Sequence, residues 1–163
     1  MKDLFDKLTT YNIFNYLFPG ILFVVIANAI TDYNLILENN FLGAFLYYFI
    51  GMTISRFGSV IIEPALKKLK FIKFREYKDF VNASKQDTKI ELFSEINNTY
   101  RTINSMLLLL LLLKLYNFCA ENFRIENHIA LVILTVSITT LYMFSYRKQT
   151  NYISKRIDAN NKP

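Results

Sequence analysis

Few residues in this chain could do chemistry, and the one that demands most of its surroundings is Arg56. It is the only charge well inside an apolar stretch that runs from about Phe41 to Ile62. A guanidinium at membrane depth is costly. It either faces a polar interior or pore, where it would favour anions, or stretches its long side chain to the headgroups. Both roles stay open on sequence alone. Thr135 and Thr139, with Ser137 and Thr140 in another apolar stretch, are further candidates for interior or pore-lining polar groups. Their hydroxyls can bond their own helix or a neighbouring one. The single Cys119 excludes an intramolecular disulfide, and the single His128 excludes a histidine-paired metal site built by this chain alone.

Catalytic patterns do not appear. There is no glycine-rich phosphate loop, nucleophile elbow or Cys-x-x-Cys. Arg124 and His128 invite comparison with the Arg/His motif of HEPN ribonucleases, but their three-residue spacer is shorter than that motif expects. No Asp or Glu falls within any predicted span, which disfavours proton-coupled exchange. The chain reads as a non-enzyme that needs no cofactor and no metal.

The element that must hold these residues is set by Asn104–Ala120, with seven consecutive leucines from Leu107 to Leu113. A helix apolar all round is either the centre of a large protein or a membrane span. A chain of 163 residues cannot surround it, so the run faces lipid. Composition agrees: 53% of residues are hydrophobic, yet the formal net charge is +6. That pairing fits spans joined by basic loops.

Four spans are predicted, at about 13–30, 41–62, 104–120 and 129–146. The fold class is an all-α polytopic membrane protein in one domain, with a cytoplasmic helical loop or stalk. Lys2 and Lys7 before an apolar region, with Ala27-Asn28-Ala29 beyond it, imitate a signal peptide. Asp3 and Asp6 offset the charge, and the apolar region is as long as a span, so it is read as retained. Residues 1–12 suggest a short interfacial helix. Pro19-Gly20 predicts a kink or break in the first span.

In the second span Gly51, Ser55 and Ser59 fall four apart and Gly58 widens the stripe. Small residues at this spacing let another helix approach closely. Residues 63–103 form a cytoplasmic loop opening at Glu63-Pro64, and its cluster Lys67, Lys68, Lys70, Lys73 and Arg75 marks the cytoplasmic side. The same cluster suits anionic lipid headgroups or a protein partner, with Phe71 and Phe74 interleaved as in an interfacial helix. A nucleic-acid partner is not needed to explain these charges. Thr88 and Glu91 make a capping box. The chain runs without Pro or Gly from Thr88 to Ala120, so one long helix should join stalk to third span. Lys114 should reach outward. The hydroxyls of the fourth span make it the expected interior one, and the tail 147–163 is basic. Both termini are then cytoplasmic.

The stretch Tyr11-Asn12-Ile13-Phe14-Asn15-Tyr16-Leu17-Phe18-Pro19-Gly20, followed by four spans, resembles small bacterial membrane proteins of phage-defence systems. The layout is similar to the accessory membrane proteins encoded beside type VI-B CRISPR effectors. That resemblance implies an accessory or effector protein at the bacterial inner membrane. Its partners would be the lipid bilayer, further copies of itself and a cytoplasmic defence-system protein. Two functions suit it. One is a homo-oligomer that forms a pore or perturbs the membrane, and the other is a non-conducting scaffold recruiting a partner through the basic loop 63–102.

Overall fold

A computed structural model describes residues 10–123 and 126–161. They form five helices, with no strand among the described residues. Helix α1 covers residues 10–30, α2 is Asn40–Lys68, α3 is Tyr77–Gln86, α4 is Lys89–Phe123 and α5 is Asn127–Asn161. Four of them, all but α3, are long and apolar enough to cross a membrane. The all-α, four-span fold class is therefore what the chain adopts. The interfacial helix expected at the N-terminus falls mostly outside the described residues.

Neither proline breaks its helix. In α1 a π-helical turn at Ile13–Leu17 precedes Pro19, and the Phe18 N–H donates back to the Ile13 carbonyl. In α2 a π-helical turn at Gly58–Ile62 precedes Pro64, and the Glu63 N–H donates to the Gly58 carbonyl. Proline within an α-helix lacks a donor and crowds the carbonyl four residues back. A wider turn just before it changes that register, as π-bulges do. The helix is thus not interrupted at Pro19, where the sequence predicts a kink or a break, and α2 does not stop at Glu63. It continues to Lys68, which carries Glu63 into the bundle.

Leu69, Lys70 and Phe71 then close α2 in a Schellman arrangement. The Phe71 N–H donates to the Leu66 carbonyl and the Lys70 N–H to the Lys67 carbonyl. Lys70 takes a left-handed φ of 58°, at the position where glycine is usual. The residues after it have no regular secondary structure, so the cluster 69–75 is a turn and an irregular strap rather than the expected interfacial helix. At the start of α4 the cap is Asp87, whose Oδ1 accepts from the Lys89 N–H at 2.9 Å; Thr88 lies inside that turn and does not cap. As expected, α4 is continuous from the polar region through the leucine run. Its 35 residues span roughly 50 Å at the α-helical rise, well beyond a hydrocarbon core of about 30 Å. The basic tail is likewise helical, as the last turns of α5.

The close contact of the bundle is between α1 and α2. A methyl group on Gly20 would overlap the Tyr47 carbonyl oxygen, and one on Gly51 would overlap the Tyr16 carbonyl oxygen. Ala27, Ile54, Met106 and Leu110 then form the apolar core where α1, α2 and α4 meet. Of the leucine run only Leu110 is buried, while Leu111 is 69% exposed. An exposed apolar surface of this extent suits a membrane-spanning helix. The interior place expected for the fourth span is not what a single chain adopts. No residue in the apolar window of α5 is buried. Its hydroxyls at Thr135, Ser137 and Thr139 satisfy themselves on carbonyls of their own helix.

Gly51→Ala should therefore cost about 1–3 kcal/mol through overpacking, seen as a lower unfolding midpoint in detergent. Gly43→Ala, whose methyl would meet only the Tyr47 ring, should be close to neutral. Equal losses at the two positions would show that the α1–α2 crossing is not the tight point.

Candidate functional site

Two polar layers cross the bundle, one above the other. The first joins α1, α2 and α4. Asn15, Ser55 and Thr102 are each 0% exposed. The Thr102 hydroxyl reaches Asn15 Oδ1 at 2.8 Å and Ser55 Oγ at 3.2 Å, and the Asn15 amide donates to Ser55 Oγ at 3.3 Å. The π-helical turn at Ile13–Leu17 is what carries Asn15, its one buried residue, into this layer. The Thr102 hydroxyl also lies 2.9 Å from the Asn98 carbonyl of its own helix. In a medium without water, such a closed set of bonds fixes the rotation of three helices at once.

The second layer is ionic. Glu63, 5% exposed, receives Arg101 Nη1 from α4 at 2.6 Å, Lys67 Nζ from its own helix at 2.8 Å and Lys148 Nζ from α5 at 3.3 Å. Lys148 also donates to the Ser59 carbonyl at 2.6 Å and to the Ser59 hydroxyl at 2.8 Å. One carboxylate thus holds the basic ends of α2, α4 and α5 together. A buried carboxylate is tolerable only when paired and hydrogen-bonded in this way. Sequence reasoning placed Glu63 at the start of a loop and named no role for it. The available signal was Glu63-Pro64 one turn from Ser59, with Lys67 four residues on.

The small residues predicted for helix packing all pack, and they do so within the chain. Gly51 meets α1, Ser55 joins the hydroxyl layer, and Ser59 receives Lys148. A methyl group on Gly58 would strike the Ser105 hydroxyl of α4. The stripe is consequently used up inside one molecule and does not offer a face to a second copy.

Arg56 is half-buried and donates through Nη2 to the Tyr16 hydroxyl at 3.2 Å. Its Nε is buried with no partner. Tyr16 in turn stands edge-on to Tyr11 at 6.2 Å and to Tyr48 at 5.6 Å. Burial, with Tyr16 beside it, raises the Tyr11 hydroxyl above the ordinary phenol range. Arg56 is therefore placed against an aromatic cluster shared by α1 and α2, apart from Thr135 and Thr139, which are exposed on α5. The three do not line a common path in one chain. Lys114 does not reach freely outward; it donates to the Ile30 carbonyl at 2.7 Å and so closes the end of α1. Lys67, Lys68, Lys70, Lys73 and Arg75 are all exposed. His128 sits 3.3 Å from Glu126 on the surface, and Arg124 lies outside the described residues. Among the described residues no three His, Cys, Asp or Glu side chains converge as a metal site.

This arrangement locks α2, α4 and α5 together through one carboxylate. Glu63→Gln leaves Arg101 and Lys148 facing each other without their counter-charge, so it should cost about 3–5 kcal/mol. Adding Arg101→Met should restore part of the loss. Unfolding in mixed micelles reads both; a loss below about 1 kcal/mol, typical of an exposed pair, would mean that Glu63 is not the lock. No family model, curated protein or solved structure matches this chain.

Proposed function

We propose that the protein is a homo-oligomeric accessory protein of the bacterial inner membrane, assembled through helical extensions at its basic end. The observation that carries this reading is an exposed apolar row where α4 extends beyond its apolar run. Leu92, Phe93, Ile96 and Tyr100 are 53%, 62%, 41% and 64% exposed. On the end of α5, Ile153 and Ile157 are each more than half exposed. Lipid covers such residues within a span, but the neighbouring Lys89, Glu91 and Glu95 support reading this row as facing water. Rows of exposed large apolar residues in water mark association surfaces.

The extension is built to present that row. Helix α3 packs against both α4 and α5, with its Val81 buried and the Tyr77 and Tyr152 rings 5.6 Å apart. The face turned away from α3 is left for a partner. A membrane-perturbing role in antiphage defence follows from the resemblance to phage-defence membrane proteins. It requires several copies, because the core between α1, α2 and α4 is filled by side chains. A conducting path then belongs between subunits. The second reading, a non-conducting scaffold for a cytoplasmic protein, draws on the same exposed row and on the basic segment 63–102.

Phe93→Glu with Ile96→Glu should reduce the oligomer to smaller species, measured by light scattering in detergent and by crosslinking in vesicles. If ion flux through proteoliposomes is present and falls with assembly, the pore reading holds. An oligomer that passes no ions, with residues 63–102 retaining a soluble partner in a pull-down, favours the scaffold. A monomer unaffected by the substitutions would overturn the assembly reading itself.

A further inference from the structure

The strap that follows α2 has a composition and shape that the helix lock does not use. Leu69 and Phe71 are 75% and 80% exposed, and Phe74 is 49% exposed. Lys70 and Lys73 stand between them and Lys68 and Arg75 on either side, all exposed. Lys67 lies over the Phe74 ring at 4.2 Å while it pairs with Glu63. Exposed leucine and phenylalanine alternate with cations over a few residues at the point where a span leaves the apolar layer.

From this placement we infer that residues 68–75 are a docking strap for an anionic bilayer surface, with Leu69, Phe71 and Phe74 entering the lipid and the cations meeting headgroups. The surface involved is distinct from the apolar row proposed for assembly, so either can fail alone. Charge complementarity selects the occupant. Basic residues just beyond a span face a leaflet whose anionic lipids attract them, and long cationic side chains reach headgroups while their stems stay apolar. Amphipathic segments bind such interfaces by apolar burial and electrostatics together.

The backbone gives a second, independent observation. Lys70 holds a left-handed φ of 58° at a helix end where glycine would be free of strain. The fold alone would favour glycine there. The lysine there is held at a conformational cost with its side chain exposed, where its ammonium group can meet an anionic surface.

The chain has no tryptophan, so Phe71→Trp in the full-length protein gives a single fluorescent reporter. The protein is reconstituted in phosphatidylcholine vesicles with and without phosphatidylglycerol, some carrying nitroxide at the upper acyl chain. The expected result is a blue-shifted emission quenched by the nitroxide lipid, strengthened by phosphatidylglycerol. It should weaken as salt rises toward 1 M, where the Debye length shrinks to ~3 Å. In the same background Lys70→Gly should leave the unfolding midpoint unchanged or raised yet lose part of the phosphatidylglycerol effect, and Lys70→Glu with Lys73→Glu should abolish it. A water-like emission in both vesicle types overturns the inference. So does a blue-shifted emission that nitroxide lipid cannot quench, because the strap would then be covered by protein.

Discussion

Everything at the basic end of this bundle hangs on one carboxylate. Glu63 is out of water, and the groups around it are three cations. If it were absent, Arg101 and Lys148 would repel across the same space in a medium that screens poorly. With it present, α4 and α5 are drawn onto α2 at one height, and the positions of both long helices follow. Lys148 adds a second constraint, because its bonds to the Ser59 carbonyl and hydroxyl fix α5 against a backbone rather than against another flexible side chain.

The carboxylate can only act there because the backbone brings it in. A regular helix would have ended before Pro64 or been distorted by it, leaving Glu63 in the headgroup region. The π-helical turn at Gly58–Ile62 keeps the helix continuous and turns Glu63 inward. The same device before Pro19 turns Asn15 inward toward Ser55 and Thr102. Two prolines, each preceded by a wide turn, thus supply the two polar layers. Glycines 20 and 51 supply the remaining condition, since only bare backbone allows α1 and α2 to approach closely enough for Asn15 to reach Ser55. The apolar core is unremarkable beside this; its residues fill what the polar layers and glycines have already positioned.

Much of the architecture was legible in the sequence. The number of spans and their approximate limits follow from apolar length, and the unbroken helix from the polar region into the leucine run follows from the lack of Pro and Gly. The small-residue stripe Gly51, Ser55, Gly58 and Ser59 was readable as a packing face, though not that one chain would consume all of it. What could not be read depends on register. A π-helical turn leaves no compositional mark, so Pro19 reads as a kink or break and Glu63-Pro64 as the end of a helix. The hydroxyls of α5 misled for a related reason. In lipid, threonine can bond the carbonyl four residues back, so Thr135 and Thr139 need no polar interior. Arg56 donates to the Tyr16 hydroxyl on α1, a partner that neither sequence reading named.

The uneven attachment of α5 carries the synthesis one step further. Around its middle it meets α2 through Tyr142, whose ring stacks on Phe49 at 6.1 Å and whose hydroxyl lies 3.2 Å from that of Thr53. Farther along, Lys148 joins the ionic lock and Tyr152 packs beside Tyr77. Before Tyr142 its surface is apolar and uncovered, with Leu131, Val132 and Ile133 each more than half exposed. The stability of α1, α2 and α4 is thereby separated from whatever touches the first half of α5. Small residues consumed inside the chain cannot serve a second copy, whereas this half-helix can exchange lipid for protein without opening a single polar bond. In a bilayer, where lipid tails are as apolar as leucine, such an exchange has little hydrophobic drive of its own. In the assembly proposed above, association would then be driven elsewhere, by the exposed apolar row of α4, through the hydrophobic effect.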